Sequence, residues 1–173
     1  MSFEKLSEHT IFRDQFIGLR EDILRTPSGQ LIPRKVVEYR KAVAVVPVVP
    51  DGRILVIRQY RHPIGRAIWD LPGGMIEPGE APADTGAREL YEETGYLAAS
   101  YDQLLRFRPE PAFSNHEIHV LRANEARPCD EPAEEEILGQ RLISRQDLPA
   151  FITRDDVVSS WTVIGLLLIM STL

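Results

Sequence analysis

The stretch Gly74-Met-Ile-Glu-Pro-Gly-Glu80, continued beyond Pro82 by Arg88-Glu89-Leu-Tyr-Glu92-Glu93-Thr-Gly95-Tyr96, governs the reading of this chain. At about 100° per residue, Glu89, Glu92 and Glu93 fall on one narrow helical face. Like charges at that spacing repel and destabilise a bare helix. A hard divalent cation, which prefers oxygen ligands, would relieve the repulsion. Pro82 suits the first turn of this helix and Gly95 its end. The plainer alternative is a solvated acidic face, against which stand the glycine turn and the arginine set among the acids.

Working outward, the segments before the helix read as strands. Phe12 to Leu19 and Leu31 to Tyr39 flank the turn Thr26-Pro-Ser-Gly29, which predicts a β-hairpin over the first forty residues. An isolated hairpin is marginal, so it is expected to lean on the main domain or on a second subunit. Ala42 to Val49 and Arg53 to Arg58 flank Pro50-Asp51-Gly52, a hairpin cue. A loop over Arg61 to Arg66 and a short strand near Ala67 to Leu71 lead into the acidic helix. Beyond it, Tyr101 to Arg108, Ile118 to Ala123 and Ile137 to Ile143 read as strands. Ser144 with Asp147 resembles a capping pair. A last helix is expected to start near Asp155 or Asp156 and to turn Val157, Trp161, Ile164 and Leu168 inward. Strands outnumber helices and the helices sit late, which predicts an α+β or mixed α/β domain. Residues 1–40 form the expected hairpin extension and 41–173 the main domain.

Composition bounds the function. The 173 residues suit one domain, and 43% apolar with 27% charged is ordinary for a globular chain. A net charge of −6 argues against a general nucleic-acid or membrane-surface binder, because both need a positive face. An anionic substrate would therefore need local arginines or bound metal. The single cysteine, Cys129, excludes an internal disulfide and fits a reducing cytosol. The start carries no secretory pattern, and the apolar run Val163 to Met170 is far short of the roughly 20 residues that span a bilayer. A cytoplasmic protein is expected.

The Gly74–Tyr96 stretch resembles the Nudix box, G-x5-E-x7-R-E-U-x-E-E-x-G-U with U apolar: Gly74, Glu80, Arg88, Glu89, Leu90, Glu92, Glu93, Gly95 and Tyr96 meet every fixed position. The resemblance implies a Nudix hydrolase, cleaving a nucleoside diphosphate linked to another group. It also implies an α/β/α sandwich around a mixed sheet and a divalent metal, usually magnesium with manganese as a substitute. Glu89, Glu92 and Glu93 are the candidate ligands, joined by a carbonyl near Gly73, where glycine lets the backbone approach. Arg88 is better placed to orient carboxylates than to touch substrate. Glu80 is read either as a ligand through water or as a charge favouring the helix start.

Resemblance extends further. Arg58-Gln-Tyr-Arg61 and Trp69-Asp-Leu-Pro-Gly-Gly74 are similar to the R-Q-Y-R and E-L-P-A-G stretches of ADP-ribose pyrophosphatases. Pro111 lies 16 residues after Gly95, as in that subfamily, and Pro111-Ala-Phe113-Ser114-Asn is similar to its P-G-F-S-N loop. Asp70, Gly73 and Ala112 depart from its commoner residues. The subfamily implies a homodimer built through the N-terminal hairpin. It also implies a general base from the loop before the last strand, here Glu134 or Glu135, with Glu135 a further metal candidate. Pro111 and Ser114 follow as substrate-binding candidates. Arg58 and Arg61 are candidate phosphate contacts, through the forked geometry of guanidinium; ion pairing with the many acids is the alternative. Trp69 and Phe113 could stack on a base, with core filling the alternative for Trp69. His62 reads as a loop residue and Cys129 as an idle thiol.

The expected reaction is magnesium-dependent hydrolysis of a nucleoside diphosphate sugar, ADP-ribose first, to AMP and ribose 5-phosphate. GDP-mannose or another nucleotide sugar is the alternative substrate. A non-hydrolytic nucleotide sensor is a rival from a different class, against which the complete box argues. No nucleic acid or membrane partner is expected.

Overall fold

The structure is a computed structural model that describes residues 2–129 and 136–171. The chain divides into two compact units, one formed by Met1–Lys41 with Phe107–Glu117, the other by Ala42–Arg106 with Ile118–Leu173.

The first unit is a three-stranded antiparallel meander of β1 (Glu4–Arg13), β2 (Ile17–Arg25) and β3 (Leu31–Tyr39). The expected hairpin is β2–β3, closed where Gly29 N donates to Thr26 O at 2.9 Å. An extra strand, β1, precedes it. The turn that separates β1 from β2 lies inside the segment read as one strand. Its Asp14 carboxylate accepts from the amides of Phe16 at 2.7 Å and Ile17 at 2.8 Å, an Asx turn with no glycine or proline to signal it. Glu38 bridges Arg13 and Arg20 across the sheet, and Arg20 also holds Asp22 at 2.8 Å. The Pro111–Asn115 loop is stitched to β3: Val37 N donates to Phe113 O at 2.8 Å, and Tyr39 N donates to the Asn115 side chain at 2.9 Å.

The second unit carries β4 (Ala42–Pro47), β5 (Ile54–Arg61), a 3-10 turn at His62–Ile64, β6 (Arg66–Asp70) and α1 (Pro82–Thr94). Then follow β7 (Tyr96–Leu97), β8 (Ser100–Phe107), β9 (Ile118–Asn124), β10 (Arg127–Pro128), β11 (Ile137–Ile143), α2 (Leu148–Ile152) and α3 (Ser160–Ser171). One sheet runs β4-β9-β8 with β4 and β9 parallel; another runs β11-β5-β6 and is antiparallel; β7 pairs with β10. This is the expected mixed β structure flanked by helices.

Every residue of β4 is buried, as its unbroken apolar run requires of a strand covered on both faces. A Cβ on Gly86 of α1 would come within 3.3 Å of Val45, and one on Gly165 of α3 within 3.1 Å of Val46. Alternate residues of β4 therefore face different helices, which approach closely because each offers a glycine.

Two local expectations are met only in part in this unit. The Asp51-Gly52 turn reverses the chain but does not pair β4 with β5 along their length. The turn closes, with Gly52 N donating to Val49 O at 2.8 Å and Val49 N to Arg53 O at 3.0 Å. Among the described residues, however, the antiparallel pairing stops at the bridge between Val48 and Ile54, because the edges of β4 are taken by β9 and by the backbone of residues 72–74. Val43 N donates to Gly74 O at 2.9 Å and Val45 N to Pro72 O at 2.8 Å. The last helix starts at Ser160, and its buried face is Thr162, Gly165, Leu166 and Ile169. Val157 is buried ahead of the helix. The sequence from 161 to 170 is apolar nearly all round, so periodicity could not choose a face. Ser144 does bond Asp147 at 2.7 Å, but in the turn that precedes α2.

Candidate active site

Helix α1 begins where Ala81 is still extended and Pro82 takes the first turn, and ends at Gly95, which is left-handed at φ 70°. Its last turn carries Glu92 and Glu93 and no basic residue. Negative charge at a helix C-terminus opposes the helix dipole, so these carboxylates are not there for helix stability.

Arg88 gathers the acids. Its Nε and Nη2 donate to Glu80 at 3.0 and 3.2 Å, while Nη1 donates to Glu89 at 2.9 Å and to Glu92 at 3.0 Å. Glu80 is the bidentate partner of Arg88. That pairing, helped by the Thr85 hydroxyl and the Glu77 amide, holds the Glu80 carboxyl down at about 2. The same contacts raise the pKa of Arg88.

Glu93, only 2% exposed, accepts from Gly73 N at 2.8 Å. Glu89, 8% exposed, lies against Gly74, where a Cβ would sit 2.3 Å from its Oε1. A Cβ on Gly73 would sit 2.1 Å from Val43 O. Both glycines are thus required by close approach. Two buried carboxylates one helical turn apart, beside bare peptide backbone, form an all-oxygen donor set suited to a hard divalent cation. Among the described residues no three His, Cys, Asp or Glu side chains converge as a metal cluster. Glu92 and Glu89 share Arg88 Nη1, and Glu92 is the more exposed of the two.

Strand alternation separates the two candidate arginines. Ile57, Gln59 and Arg61 share one face of β5, while Arg58 lies on the other. Gln140, paired with Ile57, donates to the carbonyl of Thr94 at 2.9 Å, so the Arg61 face is the one that meets the end of α1. Arg61 pairs with Asp70 at 2.6 Å. Arg58 stacks on Trp69, 5.7 Å from the ring centroid, and that ring meets Phe151 of α2 edge-on. Gln59 is 5% exposed and its Oε1 has no hydrogen-bond partner among the described residues, a buried acceptor that sequence reasoning did not single out.

Residues 38–161 match the NUDIX domain. The chain belongs to the NUDIX domain family. Among relatives, the ADP-ribose pyrophosphatase of Mycobacterium tuberculosis is 34% identical over 95% of this chain and 82% of its own length. The ADP-ribose pyrophosphatase of Bacillus subtilis is 35% identical over 75% of this chain and 70% of its own. A methanol dehydrogenase activator from Bacillus methanolicus is 31% identical over 90% and 85%. The fold matches a crystal structure of an ADP compounds hydrolase with a TM-score of 0.87 at 23% identity, covering 98% of this chain and 92% of that one. Membership of the NUDIX family, with these relatives, supports hydrolase activity on phosphoanhydride bonds.

The remaining NUDIX site candidates divide between the units. Pro111, Phe113 and Ser114 belong to the first, where Phe113 is half exposed and Ser114 Oγ accepts from the His116 amide at 3.0 Å. Arg58, Arg61 and Trp69 belong to the second. Glu134 and Glu135 lie outside the described residues. His62 opens the exposed 3-10 turn, and Cys129 is an exposed free thiol.

Proposed function

We propose that this protein is a divalent-metal-dependent hydrolase of nucleoside diphosphate sugars, with ADP-ribose as leading substrate and AMP and ribose 5-phosphate as products. The observation that carries the reading is the pair of buried carboxylates, Glu89 and Glu93, set against the Gly73–Gly74 backbone. The ADP-ribose pyrophosphatases among its relatives support the choice of substrate.

Glu89, Glu93 and the Gly73 carbonyl would hold magnesium, with Glu92 and Glu135 as further donors. The metal supplies counter-charge for the diphosphate and acidifies water. Arg88 orients the carboxylates of Glu89 and Glu92. Glu93 fixes the Gly73 peptide. Arg61, on the sheet face that meets α1, is assigned to the diphosphate. Arg58 is the second candidate for a phosphate contact, and Trp69, against which it stacks, is the candidate for the base. Water adds to one phosphorus, the bridging P–O bond breaks, and a carboxylate of Glu134 or Glu135 takes the proton.

The N-terminal sheet makes a homodimer in this reading. Ile11, Phe12 and Phe16 are about half exposed, and every residue of β1 is exposed, an apolar surface of the kind that partners cover. Residues 1–40 form the dimerisation extension and 41–173 the hydrolase domain.

A panel of ADP-ribose, GDP-mannose and other nucleotide sugars, with magnesium or with chelator, tests the activity by phosphate release after a coupled phosphatase. Cleavage of ADP-ribose that needs magnesium is expected. Inertness toward the whole panel with magnesium present would refute the reading.

A further inference from the structure

Asp70 closes β6 and is 1% exposed. Its two oxygens are used unequally. Oδ1 accepts from the Trp161 indole at 2.6 Å, from the Thr162 hydroxyl, and from the Leu71 amide at 3.1 Å. Oδ2 accepts from Arg61 Nη2 at 2.6 Å. Turning the carboxylate aside would take this acceptor from the Trp161 indole and the Thr162 hydroxyl, whereas the Leu71 amide also donates to Thr162 Oγ1 at 2.9 Å. The first turn of α3 therefore fixes where Oδ2 points.

Arg61 is held on two sides. Its guanidinium carbon lies 5.9 Å from the Trp161 ring centroid, and the side chain is 31% exposed. One terminal nitrogen is committed to Asp70, and the rest of the fork makes no other hydrogen bond among the described residues. A guanidinium anchored at one nitrogen, on a side chain that is part exposed, is pre-organised to receive a phosphate oxygen, because less side-chain freedom is lost on binding.

We propose that Asp70 is a positioning residue, which presents Arg61 to the diphosphate of the substrate and is itself locked by Trp161 and Thr162 of α3. This rests on the assignment of Arg61 to the diphosphate. Asp70→Asn keeps an acceptor for the Oδ1 donors but can turn an amide N–H toward Arg61, releasing it.

The test is a double-mutant cycle on KM and kcat for ADP-ribose with magnesium, using Arg61→Ala, Asp70→Asn and the double variant. Each single change is expected to raise KM by about tenfold, the equivalent of one charge-assisted hydrogen bond, with kcat much less affected. Asp70→Asn should add nothing once Arg61 is alanine. Equal effects of Asp70→Asn in both backgrounds would overturn the proposal, as would a raised KM in Arg61→Ala beside an unmoved one in Asp70→Asn. An unmoved KM in Arg61→Ala would instead overturn the assignment of Arg61, and the proposal with it. Arg61→Lys guards against a variant that fails to fold. It keeps the ion pair but gives up the fork, so its KM should match that of Arg61→Ala, and a wild-type KM would overturn the positioning role.

Discussion

Gly74 and Glu89 are so close that a methyl group on the glycine would lie 2.3 Å from a carboxylate oxygen. Gly74→Ala must therefore push the Glu89 carboxylate from its place. We expect a loss of stability of about 1–3 kcal/mol, as in other overpacked sites, and a fall in turnover out of proportion to it. Thermal unfolding with kcat on the same preparation checks this, and wild-type turnover would show that the position of Glu89 is immaterial.

Glu93→Gln keeps an acceptor for the Gly73 amide, so the backbone contact can survive. Only the charge is removed. Turnover should drop by on the order of a hundredfold or more, with an unchanged circular dichroism spectrum. Calorimetry should show weakened magnesium uptake. Near-normal activity would remove Glu93 from the metal site.

Glu80 offers a pH test. Its carboxyl is held at about 2 against the ordinary 4.5, chiefly by Arg88. A depressed native pKa stabilises the fold in full above the unfolded value and is lost as pH falls through the native one. The stability difference between wild type and Glu80→Gln should therefore be constant above about pH 4.5 and shrink steadily toward pH 2. Urea midpoints across that range measure it, and a gap independent of pH would mean that Arg88 does not favour the charged form.

Phe12, half exposed on β1, lies among other exposed apolar residues of the first unit. Light scattering at micromolar concentration should return the mass of a dimer, and Phe12→Asp should shift it toward the monomer. A wild-type monomer at that concentration would remove the N-terminal sheet from any role in assembly.

The acidic helix was legible because its limits are written in backbone chemistry: Pro82 at one end, left-handed Gly95 at the other. The order of strands was legible from apolar runs, but their partners were not. The Asp51-Gly52 turn describes only its own few residues, whereas the neighbours of β4 come from residues 72–74 and from β9. At the site, the spacing of Glu89, Glu92 and Glu93 was readable, and so was the pairing of Arg88 with carboxylates of that helix. The placement of Arg58 and Arg61 on opposite faces follows from strand alternation, so their numbers alone could have revealed it. The anchoring of Arg61 could not be foreseen, because Trp161 and Thr162 meet Asp70 only through the tertiary fold.

The amides of Val43 and Val45 are spent on the carbonyls of Gly74 and Pro72. Mechanically, then, the turn that cradles the carboxylates is an extra rung of the central ladder and moves with it. Substitutions that merely resize the interior beneath that strand should be felt as altered catalysis, and efforts to harden the protein against heat will retune its chemistry if they begin there.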